Sequence, residues 1–580
     1  MAIDPKTPSF MRSLVLGELN ESMLFPYPKM DPAQAEIVRS VTDTIDKYLG
    51  TKKEDFRKWD REGHMPEEVI KELKELGLFS IIIPEEHGGL ALGTMGYSRA
   101  LQQVAKNDGS VALTVGAHSS IGMKGLLLFG NDEQKKKYLP KLATGEMIAA
   151  FCLTEPGAGS DAASIKTHAE LDGDHWVLNG EKLWITNGGI ADFFTVFART
   201  DTPEGKITAF IVTRDLIGVT NGPHEDKMGI RASSTTTVNF DKVRVPKENV
   251  LGQVGKGFKV AMNILNSGRT GLGGGCVGGM KKCIELSTKQ AKERKQFGEP
   301  IAHYGLIKQK IGHMVVDCYA AESVVNMVSG LIDAGYEDYA VEASISKIFA
   351  SDALWRTVDE SLQIAGGNGF MREYPYERIM RDCRVNRIFE GTNDILHLFV
   401  ALTIMSDAGS ELKELAGLSN LGKVLADPIK GFGVLTSYGR KRLTGQATRD
   451  SQKLTKVHPE IRQFGKQFED HAKDLTSAVY RILTKHGAKI KDKQFATKRL
   501  AMIMIDLFVF ASVLSRVSQA IEEKGLPGTV QERQILEVFA GQVRGRIARN
   551  YNKIDTNDDE LIKALSDFAC EKEAYVWDSI

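Results

Sequence analysis

Four short segments of this chain combine residue types that could do chemistry. The first, Phe151-Cys-Leu-Thr-Glu-Pro-Gly-Ala-Gly-Ser-Asp161, is a strand-like run that empties into a loop of glycines, hydroxyls and backbone N–H donors. Such a loop can approach a flat polar ring and its phosphates closely, although a plain Pro-Gly turn has the same composition. The second, Lys182-Leu-Trp184-Ile-Thr186-Asn-Gly-Gly189, carries an aromatic ring and a hydroxyl at i and i+2, which a strand presents on one face. A tryptophan on a sheet surface is more often packing than cofactor contact. The third, Gln363-Ile-Ala-Gly-Gly367-Asn-Gly-Phe370, ends a helical pattern and opens a loop. The fourth is Arg387-Ile-Phe-Glu390-Gly-Thr-Asn-Asp394-Ile-Leu396, in which Thr392 is suited to cap the following helix, with Asp394 in its first turn. Glu390 then stands just outside a helix N-terminus, exposed in a loop after an apolar residue. From spacing alone, a solvated loop glutamate is the commoner outcome.

One apparent fingerprint is set aside. Gly273-Gly-Gly275-Cys-Val-Gly278 satisfies the GxGxxG pattern, but that dinucleotide site needs a strand before it and a helix after it. The preceding residues are helical by period, so a small-residue helix face packed closely on a neighbour is expected instead.

The elements that must position these segments change period along the chain. Residues 36–148 read helical, with EEVIKELKELGLFSIIIP stopping at Pro84 and DEQKKKYLPKLATGEM reading as a polar helix pair on a solvated face. From 147 to about 250 the period falls to 2, and Asp172-Gly173 and Asn179-Gly180 each signal a hairpin. The helical period returns after Gly257, and NDILHLFVALTIMSDAG closes a block near residue 409. A Gly-punctuated basic stretch follows, then helices over 460–486, 493–524, 529–550 and 558–576. The predicted organisation is mainly α with a central β domain. It comprises an N-terminal arm and helical domain (1–147), a middle β domain (148–258), a helical domain (259–409) and an extra C-terminal helical domain (410–580).

Composition narrows the class. A chain of 580 residues spans about three to five domains. Lys+Arg 75 against Asp+Glu 75 removes the charge excess of a general nucleic-acid binder. The 6 cysteines include no CxxC pair, which argues against a disulfide framework or structural zinc, and no metal site is expected. The start, MAIDPK, carries no secretory pattern. The apolar run Leu500–Leu514, interrupted by Asp506, is shorter than the ~20 residues of a membrane span and reads as a buried helix.

Taken in this order and in a helical–β–helical context, the four segments resemble the acyl-CoA dehydrogenase family of flavoproteins. The signatures Cys152-Leu-Thr-Glu-Pro-Gly-Ala-Gly-Ser-Asp161 and Gln363-Ile-Ala-Gly-Gly-Asn-Gly-Phe-Met-Arg-Glu373, with Arg378 following, carry the resemblance. Phe25-Pro-Tyr-Pro28, His118-Ser-Ser-Ile-Gly122, Ile264-Leu-Asn-Ser-Gly-Arg269, Phe389-Glu-Gly-Thr-Asn-Asp-Ile-Leu396 and the extra helical domain are similar to its very-long-chain branch.

The resemblance implies a helical/β-barrel-like/helical fold that holds FAD. Phe151, Leu153, Thr154, Gly159, Ser160, Trp184, Ile185 and Thr186 would line the isoalloxazine and ribityl side. Arg294, Gln296, Phe297, Gln363 and Gly367 would reach the FAD of a partner subunit, implying a homodimer, and Thr392, Asn393 and Asp394 would close over the cofactor. Glu390 would be the base that removes the α-proton of a long- or very-long-chain acyl-CoA, while a hydride leaves the β-carbon to give a trans-2-enoyl-CoA in fatty-acid β-oxidation. Electrons would pass to an electron-transferring flavoprotein. Ser160, Asn266, Arg269, Phe389 and Gly391 would contact the acyl-CoA. Ala112 and Gly116, four apart on one helix face, would leave a deep acyl pocket, or simply let two helices pack closely. Two other readings share the fold: an acyl-CoA oxidase that uses oxygen, and an assembly or scaffold protein.

The short polar start suggests a bacterial-type cytoplasmic enzyme. Residues 421–456 carry eight Lys or Arg against Asp427 and Asp450, together with apolar residues such as Leu425, Ile429 and Phe432. That combination suits peripheral contact with the inner face of a membrane, or a solvated connector.

Overall fold

Some helices here start where a side chain accepts their first free backbone N–H groups. The computed structural model describes residues 4–201, 206–418 and 453–579. A short α1 (Phe10–Val15) precedes α2 (Pro32–Thr51), whose first free N–H groups, of Ala33 and Gln34, donate to Asp31. Then come α3 (Lys53–Glu62), α4 (Glu67–Glu75), α5 (Thr94–Asn107) and α6 (Gly109–Gly116). A π-helical turn over Ala117–Gly122 leads into α7 (Lys124–Phe129). The polar run after Asn131 is one helix, α8 (Asp132–Thr144), rather than the expected pair. A reciprocal Asn131–Gln134 cap starts it, and buried Tyr138, Leu139 and Leu142 carry it past Pro140.

The middle region is a sheet in the order β1 (Ala149–Cys152), β4 (Phe193–Thr200), β2 (His168–Asp172), β3 (His175–Thr186), β7 (Thr235–Pro246), β6 (Val219–Asn221), with β5 (Ile207–Thr213) paired to β4. β4 runs parallel to β1 and β2, and the other pairs are antiparallel. The Asp172-Gly173 hairpin forms, with Asp172 opposite His175 and Gly173 at φ 62°. Asn179-Gly180 is not a hairpin. It lies inside β3, where the register with β7 shifts between Leu178 and Gly180. The bulge is fitted to its neighbours in space: a Cβ on Gly180 would lie 2.4 Å from Thr167 Oγ1, and the Asn179 amide oxygen accepts the Lys242 N–H at 2.9 Å.

The long α9 (Gly257–Glu293) contains the whole GxGxxG run. A Cβ on Gly274 would stand 2.6 Å from the Ser98 carbonyl oxygen of α5, and one on Gly278 2.1 Å from that of Gln102. The glycines are therefore a close helix contact. A small hairpin of β8 (Lys295–Gln296) and β9 (Glu299–Pro300) precedes α10 (Gly305–Asp333), α11 (Ala340–Ala365), α12 (Gly367–Phe370), α13 (Tyr376–Cys383) and α14 (Asn393–Leu418). α14 runs past the end expected near residue 409.

Contacts divide the chain into two units. One joins Ser9 and the residues before it to Phe25–Ile395, and the other joins Phe10–Leu24 to Leu396–Ile580. The second unit contains α15 (Arg462–His486), α16 (Gln494–Lys524), α17 (Val530–Asp555) and α18 (Asp559–Lys572). Within it, the Phe10 ring of α1 lies 5.8 Å from Phe508 and 6.5 Å from Phe468. Asp506, the charge inside the apolar run, accepts from Arg546 Nε at 2.8 Å. Gly109–Phe129, α10 and α16 are long and apolar enough to cross a membrane, but 72%, 72% and 89% of their apolar windows are buried in the fold. The basic stretch 421–456 lies outside the described residues apart from 453–456.

Candidate active site

The loop between α13 and α14 turns sharply at two successive left-handed residues, Glu390 at φ 53° and Gly391 at φ 92°. Thr392 then caps α14, accepting the Ile395 N–H on Oγ1 at 3.3 Å. A non-glycine residue held at positive φ is strained and needs support from its surroundings. The turn carries the Glu390 side chain inward. Its Oε2 is shielded from solvent and has no hydrogen-bond partner. Burial pushes the Glu390 carboxyl up to about 7, against the opposing charges of Lys347 and Arg269. The glutamate is therefore not the solvated loop residue that spacing alone suggests.

Both cations are buried and bind the backbone around the base. Arg269 Nε points at the Glu390 carbonyl oxygen at 3.4 Å, while its Nη1 donates to Asn266 Oδ1 at 2.6 Å and Ser344 Oγ at 3.0 Å. Burial lowers the Arg269 pKa to about 10 and that of Lys347 to about 8. Lys347 Nζ donates at 2.8 Å to the Gly391 carbonyl and at 2.8 Å to Asn393 Oδ1. The Asn393 amide in turn donates to Ser351 Oγ and Asp352 Oδ1, both at 3.0 Å. The Asn393 side chain, expected over the cofactor, is thus committed to this network. Sequence reasoning missed Lys347. The available signal was a lone lysine inside the small and apolar helical run Glu342-Ala-Ser-Ile-Ser-Lys347-Ile-Phe-Ala.

The glycine-rich loop is anchored by a buried ion pair that was also missed. Lys182, with no exposed surface, pairs with Glu155 at 2.7 Å and donates to the Leu153 carbonyl at 3.2 Å. Glu155 also accepts the N–H groups of Lys166 at 2.5 Å and Thr167 at 3.0 Å. Burial alone would raise the Glu155 pKa, but Lys182 and these donors bring it below the ordinary carboxylate range. The Leu183 N–H donates to the Thr154 carbonyl at 2.9 Å, which sets β3 beside the loop.

Trp184 and Thr186 do not alternate as a regular strand. The register with β7 shifts between Lys182 and Ile185, and Trp184 sits at φ 58° with 62% of its surface exposed. The bulge leaves the indole exposed, one residue on from Leu183, whose N–H bonds the Thr154 carbonyl. Leu153 and Ile185 are core residues, and the Phe151 ring packs at 5.1 Å from Phe197, which leaves mainly their backbone for a cofactor. Thr154 and Thr186 are half-buried, Gly159 and Ser160 are exposed, and a Cβ on Gly159 would meet nothing within 4 Å. An unshielded indole beside an open glycine loop fits a flavin ring and its polar tail.

Other expected residues stand apart. Arg294, Gln296 and Phe297 project from the β8–β9 hairpin, Phe297 at 94% exposure. Gln363 and Gly367 are exposed at the α11–α12 junction, and Asp394 is exposed in the first turn of α14. Among the described residues, none of the hairpin or junction residues hydrogen-bonds to the Thr154–Leu183 corner. Phe389 is half-buried beside the base. Ala112 belongs to the core cluster around Leu101 and Val104, and a Cβ on Gly116 would lie 3.6 Å from Leu101 and 3.9 Å from the Tyr97 hydroxyl. Neither lines the cavity of about 120 Å³ bordered by Tyr97, Ser120, Lys124, Ser267, Thr270 and Asp333.

Comparisons with known proteins agree in every segment they cover. The acyl-CoA dehydrogenase N-terminal domain matches residues 31–146, the middle domain 150–243 and the C-terminal domain 255–405, while the ACAD9/ACADV C-terminal domain matches 459–575. The very long-chain specific acyl-CoA dehydrogenase, mitochondrial, of Homo sapiens is 44% identical over 551 residues, covering 93% of this chain and 83% of that protein. That of Bos taurus is 44% identical over 569 residues, covering 96% and 86%. The crystal structure of an acyl-CoA dehydrogenase from Bacillus anthracis complexed with FAD is similar at 35% identity and a TM-score of 0.80, covering 96% of this chain and 94% of that one. On likeness of this extent, the chain belongs to the FAD-binding acyl-CoA dehydrogenase family, in its very-long-chain-like branch.

Proposed function

We propose that this protein dehydrogenates long-chain saturated acyl-CoA thioesters between their α- and β-carbons, yielding trans-2-enoyl-CoA, with Glu390 as the base. The observation that carries the reading is the shielded Oε2 of Glu390, which has no hydrogen-bond partner, on a carboxyl whose pKa is raised by burial to about 7. A base of that kind is ionised in a useful fraction near neutral pH and is not weakened by a tight ion pair. An α-proton of a thioester is a weak acid, so the developing oxyanion needs a donor. The Glu390 backbone N–H, which donates to no carbonyl or side chain among the described residues, is available for that role. When bound, FAD supplies the acceptor for the hydride that leaves the β-carbon. Thr154, Ser160, Trp184 and Thr186 are the residues of this chain that would hold it.

Long acyl chains as substrates follow from the names of the two mitochondrial relatives. The exposed Phe297 and Gln363 support a homodimer in which each subunit completes the other's cofactor site. An electron-transferring flavoprotein is the proposed acceptor. Flavin-bleaching titrations with saturated acyl-CoAs of increasing length test the substrate. Turnover with oxygen alone, compared with turnover in the presence of an electron-transferring flavoprotein, tests the acceptor. No bleaching by any acyl-CoA would sink the proposal, and turnover as fast with oxygen alone would make the protein an oxidase.

A further inference from the structure

The backbone of the base is held by cations from two other helices, and its carboxylate by neither. Arg269, from α9, reaches the Glu390 carbonyl, and Lys347, from α11, donates to the next carbonyl, that of Gly391. Both carbonyls belong to the left-handed turn, a strained conformation that persists only when its surroundings over-determine it. Lys347 is fully buried and forms no ion pair among the described residues. A buried ammonium without a carboxylate partner is costly to keep, so its retention calls for a function. Its other contact, Asn393 Oδ1, lies at the start of α14, so one ammonium spans the turn from the end of the base loop to the helix.

We infer that Lys347 is a positioning residue for the dehydrogenation proposed above. It locks the Gly391 turn, so that Glu390 keeps its inward conformer, and supplies through space the positive charge that keeps an unpaired carboxylate usable as a base. The inference rests on Glu390 being that base. The charges acting on Glu390 are those of Lys347 on α11 and Arg269 on α9; Cys276 of α9 and Tyr97 of α5 feel the Glu390 charge in turn, and Asp352 on α11 acts with Glu390 on Lys347. Burial raises the Tyr97 and Cys276 pKa values, Cys276 to about 12, so both are neutral at working pH. The two cations alone favour ionised Glu390, and Lys347 is the stronger influence. Arg269 spends its donors on Asn266, Ser344 and the Glu390 carbonyl.

The test is the pH profile of kcat/KM, which reports groups of the free enzyme. It is measured on FAD holoenzyme with hexadecanoyl-CoA and an artificial electron acceptor, alongside flavin content and Tm. Losing a nearby opposite charge raises a carboxyl pKa by about 1 or more. Lys347→Met is therefore expected to move the ascending limb up by about that amount, losing about tenfold near pH 6 and little near pH 9. Lys347→Arg, which keeps the charge, is expected to hold the midpoint. An unmoved midpoint in flavin-loaded Lys347→Met, or an equal loss at every pH, would overturn the inference, as would a raised midpoint in Lys347→Arg. If Lys347→Met does not fold, Lys347→Gln, neutral but still able to donate to the Gly391 carbonyl, should show the same upward shift. Glu390→Gln separates the two claims. If it stays active, the base assignment itself fails. If it is inactive while the midpoint of the neutral variants is unmoved, only the role of Lys347 fails.

Discussion

Gly268 of α9 faces the carboxylate of Glu390 so closely that a Cβ on it would stand 3.2 Å from Oε2 and 2.9 Å from Ile121 Cγ2. A side chain at this position would crowd the base. Gly268→Ala is expected to leave flavin content unchanged but to slow substrate-driven flavin bleaching by about tenfold or more, since small misplacements of a reacting group are costly. A stopped-flow rate within about twofold of wild type would show that the contact is absorbed elsewhere.

Glu390→Gln is nearly isosteric and removes only the base. It should fold and bind FAD yet lose more than the ~10²–10⁴-fold usual for a general base, because an amide cannot take up the proton. The readout is the single-turnover bleaching rate. Near-wild-type bleaching would dismiss Glu390 from the chemistry.

The same residue links activity to stability. A carboxyl raised from 4.5 to about 7 on folding favours the folded state below the unfolded pKa, and that contribution is lost as pH rises through the folded value. Wild type should therefore lose up to about 3 kcal/mol relative to Glu390→Gln between about pH 4.5 and 7. Thermal melts of both proteins across that window check it. A constant gap in Tm would mean that Glu390 titrates alike in both states.

Lys182 and Glu155 form a pair with almost no exposed surface under the glycine-rich loop. Lys182→Met strands the carboxylate and should cost about 3–5 kcal/mol, with release of FAD. Lys182→Met with Glu155→Gln should recover much of that loss. Flavin fluorescence released on dilution, together with Tm, measures both effects. A double variant no better than the single would deny the coupling.

Gly116 leaves room for one methyl group before Leu101 at 3.6 Å and the Tyr97 hydroxyl at 3.9 Å. Gly116→Ala should be nearly silent. If this face opens on the acyl path, Gly116→Gln should lower turnover of hexadecanoyl-CoA about tenfold or more relative to octanoyl-CoA, the scale of discrimination by a hydrophobic pocket. An equal loss for both lengths would assign the glycine to helix packing.

Features governed by near neighbours could be read from the sequence. The change of period from helical to strand and back is local, as are the Asp172-Gly173 turn, the Thr392 cap and the reading of Gly273–Gly278 as a close helix contact rather than a phosphate loop. The motifs around Glu390 and the glycine loop marked the chemistry because their residue types and order are unusual together. What the sequence could not supply are relations between positions far apart in the chain. The bulges at Gly180 and Trp184 arise from a mismatch between β3 and β7. Phe10 packs with Phe468 and Phe508, which pulls an N-terminal helix into the C-terminal unit. Lys182 meets Glu155, Lys347 meets Gly391, and Gly268 makes room for Glu390, each across 27 to 122 residues. A lysine in an apolar helix looks like a flaw until its distant acceptor is known. A loop glutamate looks solvated until the helix opposite it turns out to be glycine at that point. Residue types and local order therefore determined which groups could react, whereas tertiary packing decided which were kept from water, because burial and charge pairing depend on neighbours in space.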